Sequence, residues 1–315
     1  MCCMFMSKFK SNVVEDYHHV VAYRGHGKPG KAYIKGHVFR KYGLKDPAEN
    51  SGLDNLKQMV KRYQLKTVAD VPLKITIGSR TFNLHTDEKG GFEGLFEIDL
   101  MEPGWYEYTV SQDGENTSGR IHISDNVSTA VLSDIDDTLL ISHVNQLLKM
   151  IWLLMVKNAL TRKPVPRIGL LYDAIKDFNN HAFPPDFFYV SNSEWNLYDF
   201  LVDFMQTNKI PDGVYFLQRL KKGFWDIIKS GKKNNDHKYD SIHSLFQFFD
   251  RKKFILVGDN GQRDLAIYSS IAESFAERIK GVIIRELPKP QYRKKNKVYE
   301  DKLWQLGVPV RHLKM

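Results

Sequence analysis

Acidic side chains that could do chemistry follow two apolar runs of the chain. Residues 134–138 read Asp-Ile-Asp-Asp-Thr after the β-prone run 130–132, and residues 258–264 read Gly-Asp-Asn-Gly-Gln-Arg-Asp after the run 254–257. Aspartate destabilises strands and is rarely buried without a partner, so carboxylates at a strand end need a cation or protons. Ligands of open α/β sheets bind at the carboxyl ends of the strands. The repeated pattern indicates a site for a hard divalent cation such as Mg²⁺, which binds carboxylates together with substrate phosphate oxygens.

Two further polar residues stand at element ends between the acidic motifs. Ser191 follows the apolar residues Tyr189 and Val190, and Lys238 precedes a helix predicted to begin near Asp240. Taken singly, a serine after a strand is commonly a helix cap, a lone lysine is commonly solvated, and the second acidic motif could be an ordinary turn. These separate readings do not explain the order and spacing of the four pieces together, which favour one shared site.

From about residue 128 onward, short apolar strands alternate with helical segments. Helical patterns cover 196–205 and 241–249, and a longer helical excursion covers 139–180. Strands that are apolar at nearly every position and are connected through helices are typical of a parallel sheet covered on both faces. The predicted strands are residues 129–133, 187–190, 214–217, 254–257 and 281–285.

Residues 1–127 alternate β-branched and aromatic residues between Gly, Pro and Asp turns. This pattern predicts a β-rich, sandwich-like antiparallel domain with one helical segment over 53–63. No constellation in it is predicted to be catalytic; His18 and His19 would face opposite sides of a strand and so would not share a metal. The predicted division is a β-rich domain at 1–127 followed by an α/β domain at 128–315. The predicted strands of the first domain are 20–23, 31–38, 73–77, 94–98, 105–110 and 120–123.

Composition narrows the class of protein and the partners. A hydrophobic content of 42% and a charged content of 26% are ordinary for a soluble globular protein. The two cysteines, Cys2 and Cys3, are adjacent and cannot form a disulfide that stabilises the fold. No apolar run reaches the roughly 18–20 residues of a membrane span. We therefore expect a cytoplasmic protein. The net charge is +9, and residues 280–315 hold ten Lys or Arg against three Asp or Glu. This segment favours anionic partners: phosphate groups, an acidic membrane surface or nucleic acid.

The four pieces in this order resemble the haloacid dehalogenase (HAD) superfamily of phosphohydrolases. They resemble the actin-patch-associated phosphatidate phosphatase family more closely, strongly over 130–285 and weakly in the first half through Tyr23-Arg-Gly-His-Gly27. One departure is Glu194, where members often carry proline. The resemblance implies a HAD-like Rossmannoid parallel sheet with a small helical cap insertion at about 139–180. The matching motifs are residues 133–139, 189–198, 237–242 and 257–265.

The same resemblance implies a role for each site residue. Asp134 is the nucleophile that forms an aspartyl-phosphate, and Asp136 is the general acid and then the general base. Mg²⁺ is held by Asp134, the main-chain carbonyl of Asp136, and Asp259. Asp264 orients Lys238 or the water shell of the metal. Lys238 grips the phosphate oxygens and offsets their repulsion from the attacking carboxylate. The other implied phosphate-binding residues are Thr138, Ser191 and Asn192, and Asp137 is given no role.

The apolar residues between 141 and 155 bear on the choice of substrate. They form a surface wider than one helix stripe requires, and Lys149 and Lys157 bracket its longest apolar run, 150–156. Packing under the cap or against the first domain would explain this surface, and so would a lipid-facing interfacial helix. We expect hydrolysis of phosphatidate or a similar lipid phosphate, with peripheral contact to an anionic membrane. The alternative is a soluble sugar, nucleotide or phosphoprotein monoester.

A binding protein for anionic lipid or nucleic acid is the third class that the sequence allows. The acids at Asp134, Asp136 and Asp259 are intact, which argues against a pure binding module. The predicted strands do not interleave aromatic and basic residues as a nucleic-acid platform does. No nucleic-acid partner is therefore expected.

Overall fold

The computed structural model describes residues 18–40, 66–135, 168–184, 186–195, 198–218, 236–261, 263–287 and 290–314. The helical prediction over 53–63 and most of the 139–180 excursion lie outside the described residues. The same is true of the predicted site residues Asp136 and Thr138, and of Asp137, Cys2 and Cys3. The described residues form a mixed α/β structure with a β-rich sheet followed by a parallel sheet.

The β-rich half contains the first eight strands. Their pairing is antiparallel, as the sequence predicts, except that β2 runs parallel to β8. Alternating residues of these strands, among them Ile34, Ile75 and Val110, are fully buried in a core that the β-rich half forms for itself. The strands are β1 His18–Ala22, β2 Gly25–Lys28, β3 Lys31–Arg40, β4 Pro72–Ile77, β5 Arg80–His85, β6 Gly91–Glu97, β7 Gly104–Gln112 and β8 Glu115–Ile123.

In the described part of the chain, the α/β half contains the remaining strands and the helices. The strands are β9 Thr129–Asp134, β10 Asp186–Glu194, β11 Val214–Gln218, β12 Lys253–Asp259, β13 Ile279–Arg285 and β14 Val310–Leu313. The helices are α1 Ile168–Phe178, α2 Tyr198–Thr207, α3 Asp236–Phe248, α4 Asp264–Phe275 and α5 Pro290–Gln305, with a 3₁₀ turn at Ala276–Arg278. Among the described helices, none is long and apolar enough to cross a membrane.

The strands of the α/β half form one parallel sheet in the order β11-β10-β9-β12-β13-β14. Helices α1 and α2 pack on one face and α3, α4 and α5 on the other. Every residue of the central strand β9 is therefore buried: Val131 faces the first layer, and Ala130 and Leu132 face the second. A strand covered on both faces is apolar throughout, which is why its sequence predicts a parallel sheet. That prediction is confirmed.

Several boundaries differ from the sequence-based prediction. Helix α3 begins at Asp236 rather than near Asp240, so Lys238 lies inside its first turn. The last part of the predicted 139–180 excursion is α1, which packs against the parallel sheet through Leu171, Ala174 and Ile175. The sequence does not predict strands β2, β5 and β14: β2 and β14 have no regular apolar alternation, and that of β5 is limited to Phe82 and Leu84.

Candidate active site

The carboxyl ends of three adjacent parallel strands bring Asp134, Ser191 and Asp259 to one edge of the sheet. Asp134 ends β9 and pairs in register with Val190 of β10, so Ser191 lies one position further along the next strand. On the other side, Val257 of β12 pairs with Ser133, which places Asp259 just beyond the level of Asp134. Adjacent strands lie about 4.8 Å apart. Residues that are 57 to 125 positions apart in sequence thus become neighbours.

Lys238 reaches this edge from helix α3. Asp134 is two residues after Leu132, so its side chain points toward the face on which α3 packs. The Nζ atom of Lys238 lies 2.8 Å from Oδ1 of Asp134 and also donates to Oδ1 of Asp264. All three side chains are at most 2% exposed. Burial alone would lower the pKa of Lys238, but the carboxylates of Asp134 and Asp264 raise it well above its usual value, so the amine stays charged.

The turn between β12 and α4 holds Asp264 in place. Its Oδ2 accepts a hydrogen bond from the main-chain N–H of Asp259 at 3.0 Å. The N–H of Gly261 in turn donates to Oδ1 of Asp259 at 2.6 Å. Gly258 is required here because a Cβ at that position would lie 2.5 Å from Oδ2 of Asp264 and 2.8 Å from its Cβ. Packing against Asp264 therefore explains the glycine of the Gly-Asp pair in the second acidic motif, in addition to any chemical role of the aspartate.

Asp134, Asp259 and Asp264 form what we call the acidic cluster. Each is fully buried, and one carboxylate oxygen from each lies within 4.8 Å of the others. Within this cluster Lys238 supplies one positive charge against three carboxylates, and buried charge is tolerated only when it is paired or coordinates a metal. Oxygen ligands in this number suit a hard divalent cation. The acidic cluster can therefore hold a metal ion.

Ser191 and Asn192 lie in the last part of β10, at the same edge. Ser191 is fully buried, and its Oγ accepts a hydrogen bond from the N–H of Ser193 at 2.9 Å. The register between β10 and β11 shifts between Val190 and Glu194, so the ladder is irregular where these two polar residues lie. Among the described residues, Oδ1 of Asn192 is buried and has no hydrogen-bond partner. Such an atom has unused capacity to bind a ligand.

Sequence reasoning missed the side chains that brace the turn after Asp259. Asn260 is 3% exposed; its Oδ1 accepts from the N–H of Leu287 at 2.8 Å, and its carbonyl accepts from Nδ2 of Asn296 at 2.7 Å. Asn296 belongs to α5, inside the basic segment that the sequence flagged only for its charge. The sequence contains only a weak signal for Asn296, which is the uncharged residue within the basic run 293–297.

A buried acidic cluster with a lysine, at the carboxyl edge of a parallel sheet, defines a site suited to metal-assisted phosphoryl chemistry. Residues 129–286, half of the chain, match the family described as phosphatidate phosphatase APP1, catalytic domain. The chain belongs to this family. The matched range begins at β9 and ends just after β13, so it contains Asp134, Ser191, Lys238 and the rest of the acidic cluster.

Curated relatives resemble the same part of the chain. Phosphatidate phosphatase APP1 of Saccharomyces cerevisiae is 30% identical over 155 residues, which are 49% of this chain and 25% of that protein. An uncharacterised protein of Schizosaccharomyces pombe is 25% identical over 169 residues, 53% of this chain and 26% of that protein. The chain thus matches about a quarter of the length of each relative.

Similarity to solved structures is low. The D00-D0 domain of intimin, for example, is 13% identical with a TM-score of 0.24, and the match covers 37% of this chain and 52% of that one. A score at this level carries no argument about the fold.

Proposed function

We propose that this protein is a Mg²⁺-dependent phosphomonoester hydrolase that acts on phosphatidate or a similar lipid phosphate. The observation that carries the proposal is the buried cluster of Asp134, Asp259 and Asp264 around the ammonium group of Lys238. Membership of the phosphatidate phosphatase family supports the reaction class and the lipid substrate. The HAD-like character of the fold and mechanism is part of the proposal.

The proposed reaction has two steps. A carboxylate oxygen of Asp134 attacks phosphorus, the bond from phosphorus to the alcohol oxygen breaks, and an aspartyl-phosphate forms. Asp136, given this role by the family resemblance, donates its proton to the departing alkoxide and then takes a proton from the water that hydrolyses the aspartyl-phosphate. The products are the alcohol and inorganic phosphate, and Asp134 is regenerated.

Lys238 makes the attack of one anion on another feasible. Its ammonium group has three protons and already contacts Asp134 and Asp264, so one further hydrogen bond can be made to a substrate phosphate oxygen. Its raised pKa keeps the group charged at neutral pH. A fixed positive charge at the point where negative charge gathers lowers the barrier to phosphoryl transfer.

The acidic cluster is the proposed Mg²⁺ site. The carboxylates of Asp134, Asp259 and Asp264 fit a hard cation because all three are buried and close together. The family resemblance adds the main-chain carbonyl of Asp136 as a ligand. When bound, the cation would neutralise charge on the phosphate and on the carboxylates. Thr138, Ser191 and Asn192 are proposed to bind the remaining phosphate oxygens.

The lipid substrate is supported by the position of helix α5. Its Asn296 donates to the turn that directly follows Asp259, so the basic helix adjoins the proposed metal site. Lys294, Lys295 and Lys297 of this helix are exposed. Exposed cations beside the site would attract anionic lipid. We propose peripheral contact with an anionic membrane surface on this side of the molecule.

The test compares the wild type with Asp134→Asn on dispersed phosphatidate and on a panel of soluble sugar, nucleotide and phosphoprotein monoesters. The asparagine lacks the nucleophilic charge, so phosphate release should fall by roughly 10³-fold or more while the protein still folds. Asp137→Asn is the matched control, because this neighbouring carboxylate is given no role. Retained turnover in Asp134→Asn would refute the mechanism. Equal rates on soluble esters, without stimulation by anionic vesicles, would favour the soluble substrate.

A further inference from the structure

One residue of the β-rich half is buried in the core of the α/β half. Tyr23, between β1 and β2, is 1% exposed and belongs to the apolar core that α1 and α2 form against the parallel sheet. Its main chain stays with the β-rich half: its N–H donates to the carbonyl of Lys35 at 3.0 Å, and its carbonyl accepts from the hydroxyl of Tyr108. The backbone of Tyr23 is therefore held by one half while its ring packs in the other.

The ring of Tyr23 packs on the segment that follows β10. It stacks on Trp195 with ring centroids 4.0 Å apart and planes inclined by 21°, and its centroid lies 4.7 Å from that of Tyr198. The ammonium group of Lys35, also from the β-rich half, lies 5.2 Å from the ring centroid of Trp195. Trp195 is 4% exposed, so its ring is held within the packed core.

The next residue, Arg24, fixes the same region from a second direction. Its main-chain N–H donates to the hydroxyl of Tyr198, the first residue of α2, at 3.0 Å. Its guanidinium group pairs with Asp212 at 2.5 Å and donates to the carbonyl of Gly213 at 3.2 Å. Arg24 thus joins the beginning of α2 to the beginning of β11. Both elements flank the end of β10.

These contacts bear on the proposed phosphate-binding residues. Ser191 and Asn192 lie three to four positions before Trp195, in the stretch where the ladder between β10 and β11 is irregular. The sheet therefore does not fix this stretch as firmly as a regular ladder would, and the aromatic contact beyond it supplies a fixed point. A displacement of about 1 Å in a group that binds substrate is enough to reduce catalysis markedly.

We propose that Tyr23 is a positioning residue for Ser191 and Asn192, acting through Trp195, so that the β-rich half completes the phosphate-binding site. The inference rests on the proposed function, because that function assigns Ser191 and Asn192 to the substrate phosphate. It also gives a role to the Tyr23-Arg-Gly-His-Gly27 segment, which the catalytic chemistry does not use.

The first experiment measures kcat and KM for the best ester and the inhibition constant of inorganic phosphate. Tyr23→Leu keeps an apolar side chain but removes the flat ring, so KM and the phosphate inhibition constant should both rise roughly 10-fold, with a smaller change in kcat. Tyr23→Phe keeps the stacked ring and should restore both values. Phe82→Leu is the control and should leave both constants near the wild-type values. Phe82 packs on Phe96 within the β-rich core, with the two ring centroids 4.5 Å apart.

The second experiment is a double-mutant cycle between Tyr23→Leu and Ser191→Ala. If Tyr23 acts through Ser191 and its neighbour, Tyr23→Leu should weaken phosphate binding much less in the Ser191→Ala background than in the wild type. Additive effects of the two substitutions would overturn the proposal. A rise in KM in Phe82→Leu as large as that in Tyr23→Leu would overturn it as well. If Tyr23→Leu does not fold, Trp195→Phe tests the same contact, and its KM should rise roughly 3-fold. An unchanged KM in Trp195→Phe would also overturn the proposal.

The two proposals fail in different ways. A folded wild type that releases phosphate from none of the esters refutes the proposed function. An active wild type whose Tyr23→Leu variant binds phosphate normally refutes the positioning role alone.

Discussion

Lys238 links the stability of the site to its proposed chemistry. It is buried between the carboxylates of Asp134 and Asp264. Because the removal of one member of a buried ion pair leaves a charge without compensation, the side chain stabilises the fold even before any substrate is present. A divalent cation in the acidic cluster would supply part of the same compensation.

Lys238→Met is therefore expected to destabilise the metal-free protein by about 3–5 kcal/mol. Urea unfolding in the presence of a chelator measures this loss, and addition of Mg²⁺ should recover part of it. Lys253→Met, at an exposed position in the first residue of β12, should change stability by less than about 0.5 kcal/mol. A Lys238→Met variant as stable as the wild type without metal would contradict the charge argument.

At the scale of elements, the turn between β12 and α4 determines the geometry of the acidic cluster. Gly258 has no room for a side chain, because Asp264 packs directly against it. The same carboxylate binds the N–H of Asp259 and the ammonium group of Lys238. A small change in the backbone of this turn would therefore disturb the metal site without removing any candidate ligand.

Gly258→Ala should displace Asp264 and lower both Mg²⁺ affinity and phosphate release by roughly 10–100-fold, as expected when a group that orients metal ligands is lost. Calorimetric titration with Mg²⁺ measures the affinity directly. Gly169→Ala is the matched control: a Cβ there meets nothing within 4 Å, and alanine favours the helix α1 by about 0.5–1 kcal/mol. Unchanged Mg²⁺ affinity in Gly258→Ala would show that Asp264 does not need its observed position.

The sequence predicts elements well where local patterns reflect burial, and poorly where they do not. Strands β9 and β12 are buried on both faces, so their apolar runs reveal the parallel sheet and locate the acidic motifs at its edge. Strand β5, in contrast, has only Phe82 and Leu84 as apolar residues, both half-buried, and β14 has one buried residue of four, so neither produces a long apolar pattern. The contact between Tyr23 and Trp195 joins residues 172 positions apart and depends on how the two halves pack, which no local pattern encodes.

At the scale of the whole molecule, a buried charge network joins the halves at the opposite end of the parallel sheet. Asp186, the first residue of β10, contacts His122 of β8 at 2.5 Å and Lys252 at 2.6 Å. It also accepts from the hydroxyl of Ser124 at 2.6 Å. Burial alone would raise the pKa of Asp186, but the hydrogen bond from His122, the charge of Lys252 and the bond from Ser124 lower it to about 2.

The lowered pKa of Asp186 predicts a pH dependence of stability. A carboxylate whose pKa is lower in the folded than in the unfolded state stabilises the fold above its unfolded pKa of about 3.9 and loses that contribution as the pH falls toward 2. The difference in unfolding free energy between wild type and Asp186→Asn should shrink by roughly 2–3 kcal/mol between about pH 5 and pH 2.

Asp250→Asn is the control for this pH dependence. The hydrogen bonds from Asn126 and Lys28 also lower the pKa of Asp250 to about 2, but its side chain is 64% exposed, so solvent screens the interaction and the change should be much smaller. Urea unfolding at a series of pH values measures both variants. A difference in unfolding free energy between wild type and Asp186→Asn that stays constant with pH would contradict the lowered pKa of Asp186.

The proposed membrane contact through the basic helix α5 would hold the whole molecule on an anionic surface with the proposed active site close to it. Lys294, Lys295 and Lys297 are exposed, and Trp304 on the same helix is 58% exposed, a residue type suited to the interface between membrane and water. Each lysine near an anionic surface contributes about 1 kcal/mol. The triple change of these lysines to glutamine should therefore lower partitioning onto phosphatidylserine-containing vesicles by roughly 100-fold.

A charge-matched control separates this surface from the overall charge of the protein. Lys66, Lys74 and Lys89 are exposed in the β-rich half, and their triple change to glutamine removes the same net charge. Co-sedimentation at low and high salt, with phosphatidylcholine vesicles as the neutral reference, should show a large loss of binding for the α5 variant alone. If both triple variants lose binding equally, the attraction comes from net charge, and helix α5 does not orient the molecule on the membrane.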